Sequence, residues 1–204
     1  MDSASPPIRR RSQEERRTTT QTALLEATVR CLGRIGFAGT SISSVIKEAR
    51  VSRGALLHHY PAKNELIAHA IHHFYCQRLD RFKAKLLGAN TEQLSLEDRL
   101  RVLKDDFATW YDTAREIEVA MRTNQEIARI QASLSAQQLE QMSREYEQLL
   151  PEFAVLENPR DMIGIACYLM RGLASHRDQT DVARKFEACV AMIQGYLESA
   201  AEAR

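Results

Sequence analysis

Apolar positions along the chain recur at helical spacing, and no segment alternates apolar with polar residues over several positions. Leu24, Thr28, Cys31 and Ile35, flanked by Leu25, Val29 and Leu32, form one stripe of a helix. Ser12 followed by Glu15 has the spacing of a capping box, which predicts a helix opening there and ending at Gly36 and Gly39. A shorter periodic stretch begins at Thr40-Ser41, with Ile42, Val45, Ile46 and Ala49 as its apolar face. Ser52 is placed to cap a third short helix, running through Ala55, Leu56 and His59 to about Tyr60. Pro61 separates it from the next, because proline is not accommodated in a helix interior.

Lys63 to roughly Leu87 is strongly helical, and Gly88-Ala89-Asn90 breaks it. Ser95 to Asp98 opens another helix, carrying Leu96, Leu100, Leu103, Phe107 and Trp110. Residues 116 to 150 are expected as one long helix, or a short and a long one, closed by Pro151. Asn158-Pro159 is an N-cap followed by proline at the first helical position, and that helix runs to about His176. Thr180-Asp181 starts the last, to about Ala201. With about nine helices and no period-two segment, the expected fold is all-α.

Composition narrows the function classes. The 204 residues are 44% hydrophobic and 27% charged, ordinary for a globular chain that buries a core without disulfides or metals. No signal-peptide pattern opens the chain, and no apolar stretch nears the roughly 20 residues of a membrane span. Cys31, Cys76, Cys167 and Cys189 have no CxxC spacing and are expected as reduced thiols, so the chain is expected to be soluble and cytoplasmic. No GxSxG, P-loop, HExxH or dinucleotide fingerprint is present, so no enzyme and no cofactor is expected.

The net charge of +1 conceals an asymmetry. Residues 1–66 hold 11 Lys and Arg against 6 Asp and Glu, and the remainder holds 17 against 21. A basic segment on a weakly acidic chain points to a polyanion as its partner. Residues 1–11, with the run Arg9 to Arg11, are expected to form a disordered basic arm. Inside the basic segment, two short helices joined at Ala49 to Val51 make a helix-turn-helix pattern. Its second helix opens with Ser52, Arg53 and Gly54. Arginine can bind guanine bidentately, and the Ala55 methyl can meet a thymine methyl. His58, His59 and Lys63 are placed for phosphates or base edges.

The stretch Gly36-Phe37-Ala38-Gly39-Thr40-Ser41-Ile42-Ser43-Ser44-Val45-Ile46, and then Glu48-Ala49-Arg50-Val51-Ser52-Arg53-Gly54-Ala55-Leu56-Leu57-His58-His59-Tyr60-Pro61-Ala62-Lys63-Asn64-Glu65-Leu66, resembles the helix-turn-helix of the tetracycline-repressor (TetR) family. About a dozen spaced positions match. Three depart: Arg50 stands where the family usually has glycine, Leu57 where a tyrosine commonly bonds phosphate, and Ile46 where alanine is usual. Arg50 therefore either takes a positive φ at some cost or marks a different turn. The resemblance implies a helix-turn-helix DNA-binding domain over 12–61 and a ligand-binding and dimerisation domain over 62–204. It places Ser52, Arg53, Ala55 and His58 on the major groove, and Thr40, Ser41, His59 and Lys63 on phosphates. The implied function is a ligand-responsive regulator, expected as a repressor, that binds a palindromic operator in double-stranded DNA and is released by a small-molecule effector.

The apolar last two helices, about 159–176 and 181–201, are the expected homodimer interface, since two from each subunit make a two-fold four-helix contact. Phe107, Trp110, Tyr111, Met121, Tyr146, Tyr168 and Met170 are candidates for an adaptable apolar pocket. An alternative rests on His69, His73 and Cys76, at i, i+4 and i+7 of one helix, as a metal- or thiol-sensing site.

Overall fold

Side-chain caps open five of the helices in the computed structural model, which describes residues 13–88 and 94–203. Ala62 and the expected cap Asn158 make no cap hydrogen bond. The basic arm and the Ser12 cap lie outside the described residues. Helix α1 spans Gln13–Gly39, α2 Ile42–Ala49, α3 Arg53–His59 and α4 Lys63–Leu87. They are followed by α5 (Leu96–Thr123), α6 (Gln125–Leu149), a short 3-10 helix (Pro151–Val155), α7 (Pro159–Ala174) and α8 (Gln179–Glu202). Among the described residues there is no strand, and the fold is all-α. No helix there is long and apolar enough to cross a membrane.

Ser95 caps α5 with the expected box, accepting from the backbone N–H of Asp98, and Ser41 caps α2 with a second box, accepting from that of Ser44. The junction expected near residue 116 lies instead at Asn124, so α5 runs through 116 to Thr123. The Asn124 carboxamide accepts from the N–H groups of Glu126 and Ile127, both at 3.1 Å, and so restarts the chain as α6. Asp178, rather than Thr180, caps α8, accepting from the N–H groups of Thr180 and Asp181.

Helix α1 bends at Gly36, where φ is +71°. The bend leaves the Phe37 N–H without a helical partner, and Glu116 of α5 accepts it at 2.9 Å. One turn earlier a Cβ on Gly33 would lie 2.4 Å from the Thr113 hydroxyl, so a larger residue there would require that hydroxyl to turn away.

Three apolar clusters follow from these crossings. Leu24, Ala27 and Cys31 of α1 pack on Val45, Leu56, Tyr60 and Leu66. Ile35, assigned to the same stripe, is 41% exposed because it falls one residue before the bend. The other face of α1, through Val29 and Leu32, joins Ile67, Ile71 and Phe74 of α4 and Ile117 of α5. The largest cluster joins the far half of α4 with α5, the 3-10 helix, α7 and α8, centred on Phe82, Leu100, Phe153 and Phe186. Each such side chain contributes about 1.5–3 kcal/mol by leaving water. Between the clusters, Asp106 (1% exposed) accepts from Arg78 at 3.0 Å and from Lys85 at 3.0 Å, and the Arg78 guanidinium lies 4.4 Å from the Phe107 ring centre.

Candidate nucleic-acid interface

The helix-turn-helix is held by packing on its inner side. Leu56 of α3 is fully buried, and Tyr60 just after it is 1% exposed. The Tyr60 hydroxyl accepts from the Gln21 carboxamide of α1 at 3.1 Å, and its ring lies 5.3 Å from that of His69 on α4. Burial pushes the Tyr60 phenol up, so it stays neutral. Helix α2 is tied to α1 through Glu48, which accepts from Arg30 at 2.8 Å and Arg34 at 3.0 Å. The Arg30 hydrogen bond and both guanidinium charges hold the Glu48 carboxyl below its ordinary range.

The turn between α2 and α3 answers the question posed by Arg50. It adopts φ 56°, ψ 43°, a left-handed conformation, and is the described non-glycine residue with positive φ. Its N–H donates to the Ile46 carbonyl and closes α2. Ile46 itself packs at the edge of the first cluster beside Ile42, Ala49 and Val51, which is how the larger side chain is accommodated. Ser52 then caps α3, accepting from the Ala55 N–H at 3.1 Å.

This frame turns Ser52, Arg53, Gly54, Leu57 and His58 outward, with Ala55 and His59 half-buried at the edge of the same face. Ser41 is also exposed, at the start of α2. Lys63 is half-buried, its ammonium 5.3 Å from the Phe37 ring centre. Thr40 departs from the expectation. It is 1% exposed and its hydroxyl donates to the Gly36 carbonyl at 2.7 Å, because it closes the bend in α1. It therefore presents no free hydroxyl to a phosphate.

Three residues escaped the sequence reading. Arg16, Arg17 and Thr20, on the first turns of α1, line a groove of about 560 Å³ together with Glu14 and with Ala55, His58 and His59 of α3. Their charge is visible in the sequence, but their neighbours are set by how α3 crosses α1 in the first cluster. Burial, then the charges of His58 and Arg17, hold the His59 imidazole below its ordinary value. Among the described residues Arg16, Arg17, Lys47, Arg50 and Arg53 form no ion pair, although Glu14 lines the groove beside Arg16 and Arg17 and the Arg50 charge acts on Glu48.

The candidate pocket residues are not brought together. Phe107, Met170 and Tyr146 belong to the large cluster, Trp110 packs edge-on to Phe74 at 6.1 Å, and Tyr168 is 68% exposed on α7, with Tyr111 at the same surface. Met121 alone of the set lines the cavity of about 400 Å³ between α4, α5 and α6, whose walls include Tyr75, Ala128, Gln131, Ser135 and Met142. A search by aromatic and methionine content misses Gln131 and Ser135 because they are polar.

The alternative site also disperses. His69 packs on Tyr60, while His72 Nδ1 and His73 Nε2 are buried without a hydrogen-bond partner. Among the described residues no group of three or more His, Cys, Asp or Glu side chains is placed to hold a metal ion. Cys31 is fully buried, and that burial pushes its thiol up, away from the reactive thiolate.

A profile described as bacterial regulatory proteins, tetR family, matches residues 24–70, from the first buried turn of α1 into α4. The chain is 36% identical over 103 residues to the HTH-type transcriptional regulator CymR of Pseudomonas putida, covering 50% of this chain and 49% of that protein. It is 34% identical over 96 residues to the HTH-type transcriptional regulator PksA of Bacillus subtilis (strain 168), covering 47% and 45%. The matched segment thus spans about half the length of each relative. In fold, the chain is similar to Salmonella enterica GusR, with TM-score 0.62 at 18% identity, covering 88% of this chain and 95% of that one.

Proposed function

Because the chain belongs to the tetR family of bacterial regulatory proteins, we propose that it is a homodimeric, ligand-responsive transcriptional repressor that binds a palindromic DNA operator. The family is one of regulators and not of enzymes. The observation that carries the reading is the face of α3 and the start of α1, where the exposed Arg16, Arg17 and Arg53 form no ion pair among the described residues. An arginine already paired with a carboxylate must give up that partner to meet a phosphate, whereas these need not. In this reading Ser52, Arg53, Ala55 and His58 enter the major groove, and Ser41, His59, Lys63, Arg16 and Arg17 take the backbone. Lys63 opens α4, an unfavourable end of a helix for a cation, and a phosphate there offsets the cost. Residues 12–61 and 62–204 are the corresponding DNA-binding and ligand-binding or dimerisation parts.

Dimerisation through α7 and α8 is supported by Ile165, Tyr168, Met192 and Tyr196, large apolar or aromatic side chains left exposed on those two helices. A Cβ built on Gly164, Gly172 or Gly195 meets open space, so these helices offer flat strips for close approach. A two-fold dimer sets its α3 helices in successive major grooves about 34–36 Å apart. An effector in the α4–α5–α6 cavity releases DNA if it favours a state with the wrong spacing by several kcal/mol.

Selecting duplexes from a random pool, at low and at physiological salt, tests the assignment. Recovery of a palindrome with half-sites about one turn apart is expected. Binding without a recovered motif, lost on adding salt, would refute specific reading. Tyr168→Glu combined with Met192→Glu is expected to give monomers by sedimentation, and unchanged dimers would move the interface elsewhere.

A further inference from the structure

We propose that the cavity between α4, α5 and α6 takes an uncharged, mainly apolar small molecule bearing one hydrogen-bonding group, which the Gln131 carboxamide recognises. The inference names the ligand class of the effector site in the functional reading above and rests on that reading for its regulatory consequence. Gln131 is 8% exposed, and its Nε2 donates to the Ser135 hydroxyl at 2.7 Å while its Oε1 has no partner among the described residues. A buried carbonyl without a donor is unfavourable, and a ligand hydroxyl or N–H that donates to it removes that penalty. If the carboxamide is turned over, the free group becomes the N–H₂ and the same ligand hydroxyl accepts. One polar contact is available in either orientation.

The rest of the lining excludes charge. Met121, Met142, Ala128 and the ring of Tyr75 supply apolar surface, and no ionised side chain is among the described lining residues. Burial raises the Tyr75 phenol, so it too is neutral. A carboxylate or ammonium entering here loses its water and finds no counter-ion. The volume of about 400 Å³ is in the range of small-molecule sites, and the two methionines let the walls adapt to a ring. The far end of the cavity wall reaches the start of α4, the helix that follows α3. At the α5–α6 junction Asn124 donates to the Asn64 carbonyl at 3.3 Å, and Asn64 donates to Glu126 at 2.5 Å, in the first turn of α4 directly after α3.

Calorimetric titration of the full chain with 1-naphthol, naphthalene and 1-naphthoate tests the assignment, with duplex affinity measured in parallel. 1-Naphthol is expected to bind about tenfold more tightly than naphthalene, and 1-naphthoate not at all. Gln131→Met, similar in length, is expected to reduce 1-naphthol to the affinity of naphthalene. Ala128→Phe fills the cavity and is expected to abolish both, which keeps the test open if Gln131→Met does not fold. Absence of 1-naphthol binding, 1-naphthoate binding as tight as 1-naphthol, or an undiminished hydroxyl preference in Gln131→Met would overturn the proposal. Binding that follows the expected order but leaves duplex affinity unchanged upholds the ligand class and removes the effector role.

Discussion

In the C-terminal region Arg78, Lys83, Arg99, Arg160 and Arg171 each reach a carboxylate on another element: Asp106, Glu145, Glu152, Glu147 and Glu118 respectively. Around α3 the pattern reverses, and Arg16, Arg17, Lys47, Arg50 and Arg53 form no ion pair among the described residues. The same residue types thus join helices in the C-terminal region, and through Arg30, Arg34 and Glu48 between α1 and α2, yet stand open to solvent on the outer side of α3. Where a charge is paired and buried, its partner is part of the fold. Where it is exposed and unpaired it is solvated, and several such cations close together, as on α3 and the start of α1, give the electrostatic condition for meeting a polyanion.

The contrast breaks first at Asp106. Asp106→Ala leaves Arg78 buried without a counter-charge and is expected to lower unfolding stability by about 3–5 kcal/mol, measured by urea denaturation. A loss below about 1 kcal/mol would show that the pair is dispensable. Arg53→Ala is expected to do the converse: weaken specific duplex binding by about 1–3 kcal/mol and relax preference at one base position, with the urea midpoint unchanged. An unaltered selected motif in that variant would take Arg53 off the base edges. Glu116→Ala removes the acceptor for the Phe37 N–H across the two regions and is expected to cost about 1.5 kcal/mol of stability. Retained amide-exchange protection at Phe37 would show that the bond contributes little.

Arg50→Gly relieves the left-handed backbone and is expected to raise stability by about 1 kcal/mol, read as an upward shift in the unfolding midpoint. An unchanged or lower midpoint would mean that the turn carries no strain. The smallest effect is expected with pH. Burial holds His59, His72 and His73 below the ordinary imidazole value of 6.5. A depressed folded value favours the neutral ring, so the stability these groups contribute is complete above pH 6.5 and is lost as pH falls through their folded values. Duplex binding has the opposite sign, because a phosphate beside His59 raises its proton affinity. Binding is therefore expected to tighten as stability declines on acidification below pH 6.5, and a parallel decline of both would place His59 away from DNA.

Much of the N-terminal unit was legible because its signals are local. Ser41, Ser52 and Pro61 fix short helices through backbone chemistry within three residues, and Val45 and Leu56 mark their buried sides. The outward positions of Arg53 and His58 follow from that period. Thr40 was misplaced for a non-local reason, since its burial depends on the bend at Gly36 and on the Glu116 carboxylate 79 residues away from Phe37. The cavity was less legible still. Phe107, Tyr146 and Met170 share the composition of a pocket, yet they fill the core, and composition cannot distinguish a side chain that fills space from one that borders it.

By itself, then, the sequence determined the all-α class, the two short helices with their capped turn, and the polar outer face of α3, all of which arise from spacing and backbone hydrogen bonding over a few residues. The tertiary structure decided that Arg16 and Arg17 share a groove with His58 and His59, that Asp106 lies between Arg78 and Lys85, and that Gln131 lines a cavity while its buried carbonyl has no donor among the described residues. Those juxtapositions depend on how long helices cross, and a crossing is settled by the combined fit of many side chains rather than by any one segment's pattern.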